Sequence, residues 1–332
     1  MNRGRSGRIG DVALSEVIGF ILILGILVAA LAIYTVYFVP VSGREAEIAH
    51  ADYIEEQFTD YKLTLDALWT SRLINVNSPV PVLNVTPIIS STSMSLTTGG
   101  NTLPGGLSFP LFSPIPSTGI LVTNKTGDTF DIDSSSYHGS LGDTGEFPLD
   151  ITALEYRSNN HYWIQQGYSY QLGGVFLTQN EGMINRISPL ISFVNSANKS
   201  IVVNIVPVQI LGNRSYSNNN PVRIDTRQKL VAPYNIAANQ YVSNAWVNLS
   251  FTSADSGRAG TWLSLFKDIA VREQLESSAY TTGSIYDAGS KRTTVYINIT
   301  GSDPDPIRKD ISLYVQRAEF EITFNSLVSG LT

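Results

Sequence analysis

From Val17 to Val39 the chain carries no charged side chain. As an α-helix this run reaches roughly 35 Å at about 1.5 Å per residue, enough to cross a hydrocarbon core of about 30 Å. The apolar region of a cleaved secretory signal is about 7–15 residues long and is followed by small residues. Here the run is longer, and Tyr34, Tyr37 and Pro40 stand where small residues would be needed. It shows no polar face, so it does not read as a helix half-buried in a soluble core. Arg3, Arg5 and Arg8 precede it, and only Arg44 lies close behind. Positive flanks stay inside, so the expectation is a cytoplasmic N-terminus with everything after Pro40 outside. Tyr34 and Tyr37 fall where an aromatic belt would lie at the outer interface.

A membrane anchor narrows what the rest can be. The chain has no cysteine and therefore no disulfide framework, thiolate metal site or Cys nucleophile. With 332 residues it can bury a core without staples. The formal net charge is −6 and 15% of residues are charged, which excludes a broad basic surface for nucleic acid. Ser, Thr, Asn and Gly are abundant after residue 73, as in a β-rich domain with many turns. Asn-x-Ser/Thr sequons, candidate N-glycosylation sites, occur at Asn84, Asn124, Asn198, Asn213, Asn248 and Asn298. Asn248 and Asn298 fall on the polar side of period-two patterns, "NAWVNLSFT" and "TVYINIT", which places them on solvated strand faces.

Four zones follow. Residues 1–16 are a basic cytoplasmic leader and 17–40 the transmembrane helix. Residues 41–72 are an amphipathic helical stalk, and 73–332 an extracellular β-rich domain of one or two lobes. In the stalk, Ala51, Ile54, Phe58, Tyr61, Leu65 and Leu68 form one apolar stripe. Glu45, Glu55, Gln57, Asp60 and Lys62 lie opposite, and Glu45 and Glu47 are placed in a first turn. Pro40, Ser42 and Gly43 predict a kink or an interruption between span and stalk. The stripe packs either on the chain's own β domain or on neighbouring copies.

Within the β zone, "SIVVNIVPVQIL" is apolar on both sides, reads as a central strand and bulges or ends at Pro207. In "ISLYVQRAEFEITF", Ile311, Leu313 and Val315 share one parity while Ala318, Phe320, Ile322 and Phe324 share the other. The switch near Gln316–Arg317 predicts a bulge or a break in register. "TWLSLFKDIAVREQLESS" reads as a helix with Trp262, Leu265, Phe266, Ile269 and Leu275 on one side. "GGNTLPGGLSFPLFSPIPSTG" reads as an extended segment pinned across the β domain, because its apolar residues, Ile115 among them, need cover. The fold class is thus mainly β with a long N-terminal helix, the β part resembling a sandwich with Greek-key connections.

Sites of chemistry are sparse. His50, His138 and His161 are scattered, without the i, i+4 pair of a helical zinc site. There is no G-x-S-x-G, no Walker loop and no G-x-G-x-x-G. Asp128, Asp131, Asp133, Asp143 and Glu146 could offer oxygen ligands to Ca²⁺, but they lack the EF-hand glycine and closing glutamate, and solvated loop acids are the simpler reading. No catalytic residue, cofactor or metal site is assigned.

The stretch "ALSEVIGFILILGILVAALAIY" resembles the N-terminus of archaeal pilins and archaellins, the archaeal type IV pilin-like superfamily. Ser15, Glu16, Val17, Ile18 and Gly19, followed by the apolar helix, carry the resemblance. In that family a prepilin peptidase removes a short basic leader and the retained helix forms the filament core. The resemblance implies cutting after Gly10, before Asp11, or after Ala13, before Leu14. "FPLFSPIPSTGILVTN", "LEYRSNNHYW" and "YQLGGVFL" add a likeness to archaeal surface proteins with pilin-like N-termini, which implies no activity. The expectation is a non-enzymatic cell-surface protein, as filament subunit, minor pilin or adhesin, with the membrane, a prepilin peptidase and copies of itself or other pilin-like subunits as partners, and a surface glycan or protein as ligand. Gly25, Ala29 and Ala32 share one helix side and are the candidate packing face. The alternatives are a single-span surface protein that never polymerises and an exported hydrolase or carbohydrate-active domain.

Overall fold

The apolar run is helical throughout in the computed structural model, which describes residues 9–76, 89–98, 113–135, 147–180, 182–195, 200–218, 220–229, 242–300 and 311–326. Helix α1, Ile9–Ile33, passes through one π-helical turn, Tyr34–Phe38, into helix α2, Val39–Val76. Of the kink or interruption expected at Pro40, the interruption does not occur, and the irregularity is a π-helical turn. Proline removes an N–H and presses on the carbonyl four residues back. The chain answers with a widened turn directly ahead of it, in which the Val39 N–H donates to the Tyr34 carbonyl. Helical backbone then continues through Pro40 and Gly43.

The contacts divide the chain into two units. One comprises residues 1–50, 98–117 and 160–163; the other comprises 51–97, 118–159 and 164–332. In the first, Glu47 is buried. Its carboxylate accepts from the Ser117 hydroxyl, from the His161 N–H at 2.6 Å and from the Tyr162 N–H at 2.9 Å. The expected role of Glu45 and Glu47 in a first turn is thereby corrected, because the helix begins far upstream. Gly43 is required beneath Tyr162, whose ring would sit 2.4 Å from any Cβ there. The Arg44 guanidinium lies 4.2 Å over the Trp163 ring. Ile115 does not find the expected cover and is 60% exposed.

The second unit is mostly β. Its strands are β1 Ile89–Met94, β2 Thr118–Ser134, β3 Leu149–Asn159, β4 Gln166–Gln171, β5 Gly174–Gln179, β6 Gly182–Ile187, β7 Ile191–Asn195, β8 Ile201–Ile205 and β9 Val208–Leu211. They continue as β10 Arg214–Tyr216, β11 Val222–Gln228, β12 Val242–Asn244, β13 Val247–Ser253, β14 Tyr280–Asp287, β15 Arg292–Ile299, β16 Ile311–Val315 and β17 Ala318–Ser326. Helix α3, Ser256–Arg272, separates β13 from β14. The large sheet runs β14-β15-β13-β2-β3-β4-β5-β6, with β10 pairing the first part of β2. Two smaller sheets are ordered β1-β11-β17-β9 and β12-β16-β8-β7.

Two hydrophobic cores lie on opposite faces of the large sheet. On β3, Leu149 and Ile151 belong to one core while Leu154 and Tyr156 belong to the other, as alternation of side chains requires. Strand β2 serves both cores by a register shift between Lys125 and Thr129, so that Leu121 faces one and Phe130 and Ile132 the other. The first core is closed by the β12-β16-β8-β7 sheet and by α3. There Trp262 stacks on Phe251 at 4.8 Å, with Phe176 and Phe130 at 5.7 and 5.9 Å. The expected helix is present but ends at Arg272; Leu275 lies beyond it, still buried.

The second core is closed by the β1-β11-β17-β9 sheet and by the stalk stripe. Ile54, Phe58, Tyr61, Leu65 and Leu68 are all buried in it. The stripe therefore packs on the chain's own β domain. The cover extends further round the helix than expected. Lys62, placed opposite the stripe, is 4% exposed and pairs with Asp66 at 2.6 Å, its stem supplying apolar cover.

Both breaks expected from parity are sheet switches. β8 ends before Pro207 and β9 begins after it; β16 ends at Val315 and β17 begins at Ala318. β8 is central in its sheet, as its two-sided apolar pattern predicts. The two chains run parallel and cross together, with the Gln316 N–H on the Ile205 carbonyl and the Ala318 N–H on the Pro207 carbonyl. The parity reversal is what turns Ile311–Val315 to one core and Phe320 and Ile322 to the other.

Candidate functional site

The first functional element is the helix itself. Along Val17–Val41 none of the large apolar side chains is buried and most are exposed, Phe20 at 67%. It is long and apolar enough to cross a membrane. Its one aliphatic hydroxyl within this stretch, on Thr35, bonds back to the Leu31 and Ala32 carbonyls at 3.1 Å, so that group asks nothing of lipid. Ser15, Glu16, Val17, Ile18 and Gly19 lie on α1, as do Gly10, Asp11, Ala13 and Leu14. Gly25 has open space where a Cβ would project, and Ala29 and Ala32 follow at one and two turns on the same side.

The sequons differ in setting. Asn124 and Asn213 are exposed, and their neighbours Thr123 and Arg214 pair across β2 and β10. Asn248 and Asn298 are cross-strand partners on β13 and β15, half-buried, with both Oδ1 atoms enclosed. Their polar strand face is thus less open than alternation alone suggests. Asn84 and Asn198 lie outside the described residues.

The acidic stretch is not assembled into a cation site among the described residues. Asp128 points inward with Phe130 and Ile132, while Asp131 and Asp133 take the other parity. Asp128 is 3% exposed and is held by Arg258 at 2.7 Å. Burial raises the Asp131 carboxyl above its ordinary value, against a bond from the Ile132 N–H. No group of three or more His, Asp or Glu side chains converges among the described residues. Asp143 and Glu146 lie outside them.

The second element was not legible in the sequence. Beyond the N-terminus of α3, the face of the large sheet that carries the Trp262 core is no longer covered. It opens there into a groove of about 350 Å³. The register puts Arg157, Gly167, Thr178 and Met183 in one cross-strand row, with Glu155 and Ser169 adjacent. Arg258 stands at one end, on a helix whose first turn is capped by Asp255 Oδ1 accepting from the Gly257 and Arg258 N–H groups at 2.8 and 3.2 Å. Burial pulls the Arg258 guanidinium down, but its bond to Asp128 and that charge outweigh burial, and the net shift is upward. Arg157 binds Glu155 at 2.5 Å.

The β4–β5 hairpin that forms the floor turns on Leu172 and Gly173, both in the left-handed region at φ +50° and +85°, as a type I′ turn requires. Leucine tolerates this because its side chain is buried in the core. The "LGG" within "YQLGGVFL" is the sequence signal that marks this hairpin. No signal joins it to Arg258, which arrives from a distant helix. No family model matches this chain, and neither a curated protein nor a solved structure does.

Proposed function

We propose that this chain is a non-enzymatic, membrane-anchored surface protein of archaeal type IV pilin-like type, acting as a filament subunit, minor pilin or adhesin. The observation that carries the reading is the contrast along one continuous helix. The stalk stripe is used up inside the chain's own β domain, whereas Val17–Val41 is apolar and open all round. The stalk stripe is thus withdrawn as an assembly surface, leaving the span both to anchor and to assemble. The basic leader and the Ser15–Gly19 motif support removal of residues up to Gly10 or Ala13. The exposure of Asn124 and Asn213 supports an outward-facing, glycosylated domain.

The test is mass spectrometry of native protein from membrane and filament fractions. A mature N-terminus at Asp11 or Leu14, with Val17–Val39 retained and material in a sheared filament fraction, is the expected result. An intact Met1 start confined to membranes overturns the pilin reading in favour of a plain single-span anchor.

A further inference from the structure

We propose that residues 113–117 and 160–163 form a collar beside the outer end of the span that docks on the lipid headgroup layer, with Ile115, Tyr162 and Trp163 entering that layer and Arg44 meeting its phosphates. The proposal rests on the reading of Val17–Val39 as a membrane span. It adds a second lipid contact, made by loops distant from the span in sequence.

Height along the helix carries the argument. About 20 helical residues rise about 30 Å, the thickness of a hydrocarbon core. A core centred on Val17–Val39 therefore ends near Phe38. The headgroup layer adds about 5–7 Å on that side, the rise of about four or five residues. The helix is continuous through this level. Gly43 stands at the outer edge of the layer and Arg44 one residue beyond, with a Cα–Cβ bond that tilts back toward the span, as on any helix.

Both loops are tied to the helix at this height. Glu47 accepts from the Ser117 hydroxyl of one loop and from the His161 and Tyr162 N–H groups of the other. From that anchor the Tyr162 ring lies over Gly43, one turn nearer the span. Its hydroxyl accepts from the Ile115 N–H at 3.0 Å, which joins the loops to each other. The Trp163 ring lies 4.2 Å from the Arg44 guanidinium.

The side-chain types match the layer. One exposed isoleucine means nothing by itself. Here Ile115, 60% exposed, stands between Pro114 and Pro116, which hold its backbone extended. Tyr162 and Trp163 beside it are half-buried, and Tyr and Trp concentrate where the apolar layer meets water. Arg44 is exposed and makes no ion pair among the described residues, which leaves its guanidinium free for a phosphate. The collar is continuous with the apolar surface of the span. A second copy would have to be brought to this height, whereas lipid is already there once the span is inserted.

The chain has no cysteine, so single cysteines can be spin-labelled cleanly. The full chain, one copy per nanodisc of phosphatidylcholine and phosphatidylglycerol, carries a nitroxide at one of three exposed positions. These are Val28→Cys within the span, Ile115→Cys in the collar and Ala49→Cys, the last about 16 Å beyond Phe38 along the helix. Collisions with oxygen, which concentrates in lipid, are compared with collisions with a water-soluble nickel chelate. The oxygen-to-nickel ratio at Ile115 is expected to fall between the other two, about twofold or more above Ala49. A ratio at Ile115 equal to that at Ala49, with Val28 high, overturns the collar and leaves the span standing. Val28 equal to Ala49 overturns the span and the collar with it. A ratio at Ile115 that rises only when two copies share a disc assigns the surface to a second copy and overturns the lipid assignment. Lipid brominated high on its acyl chains should also quench part of the tryptophan emission, and Trp163→Phe, which keeps a ring beside Arg44, should reduce that part by about half or more. Quenching indifferent to this change overturns the placement of Trp163 in the layer.

Discussion

The span and the stalk are consecutive stretches of helical backbone with opposite solutions to the same problem. From Val17 to Val41 the apolar side chains surround the axis and none of the large ones is buried. From Ile54 to Leu68 they form a stripe that disappears into a core with Tyr156, Tyr168, Phe320 and Ile322. The difference teaches that apolar content along a helix does not by itself say where assembly happens. An all-round apolar surface needs an external solvent such as lipid, whereas a stripe is satisfied once a single partner surface is found, and here the chain supplies it.

The comparison breaks most sharply at Phe58. Phe58→Ala removes a fully buried ring from the stalk stripe and should cost about 3–5 kcal/mol, read as a large drop in the melting temperature of the β domain. Phe20→Ala, the same change on the exposed span, should leave that melt unmoved. Equal effects would show that the two stretches are not energetically distinct.

Alkaline pH should act on the core that the stalk closes. Burial raises the Tyr61 phenol above its ordinary 10.0, against the lowering bond from Thr226. Burial likewise raises Tyr170, aided by the Asp66 and Tyr61 charges. The folded state holds these protons longer than the unfolded chain. Their contribution is complete below about pH 10 and is lost as pH rises beyond it. Each phenol should remove about 1.4 kcal/mol per pH unit above that point, checked by denaturant melts from pH 8 to 11.

Tyr61→Phe sharpens the same side of the comparison. It deletes the 2.9 Å bond to the buried Thr226 hydroxyl and leaves that hydroxyl short of a partner. A loss of about 1–2 kcal/mol is expected, together with a shallower alkaline slope. Tyr170, whose ring stands edge-on to Tyr61 at 5.8 Å, keeps part of that slope, together with Tyr156 and Tyr168, which burial also raises.

The smallest stability effect belongs to the span. Gly25→Leu with Ala29→Leu adds bulk where Gly25 has open space, so neither insertion nor the β-domain melt should change. If the span assembles through this face, higher-order species should disappear on native gels and in filament preparations, because close backbone approach is lost. Unchanged assembly would rule this face out.

Much of the fold was legible because the signals are local. Twenty-odd consecutive uncharged, mostly apolar residues read as a helix long enough to cross a membrane. Val247, Leu249 and Phe251, or Val295, Ile297 and Ile299, announce a buried face by alternation, and all six are buried. Even the breaks at Pro207 and Gln316–Arg317 could be read from lost alternation. Other features escaped. The burial of Lys62 and Glu47 was missed because charge predicts exposure, and only partners distant in sequence, or the carboxylate one turn away, make burial affordable.

What the sequence alone determined is thus the helix apolar all round, the apolar stripe and the parity of each strand, since each depends on neighbours a few residues away. Tertiary structure decided which core each parity serves, that β8–β9 and β16–β17 cross between sheets together, and that the stripe is consumed within the chain. It also decided that Gln166, Thr178 and Arg258 share a groove. These are pairings across tens to hundreds of residues, set by packing and register, and no local pattern of side chains encodes which distant strand will supply the partner.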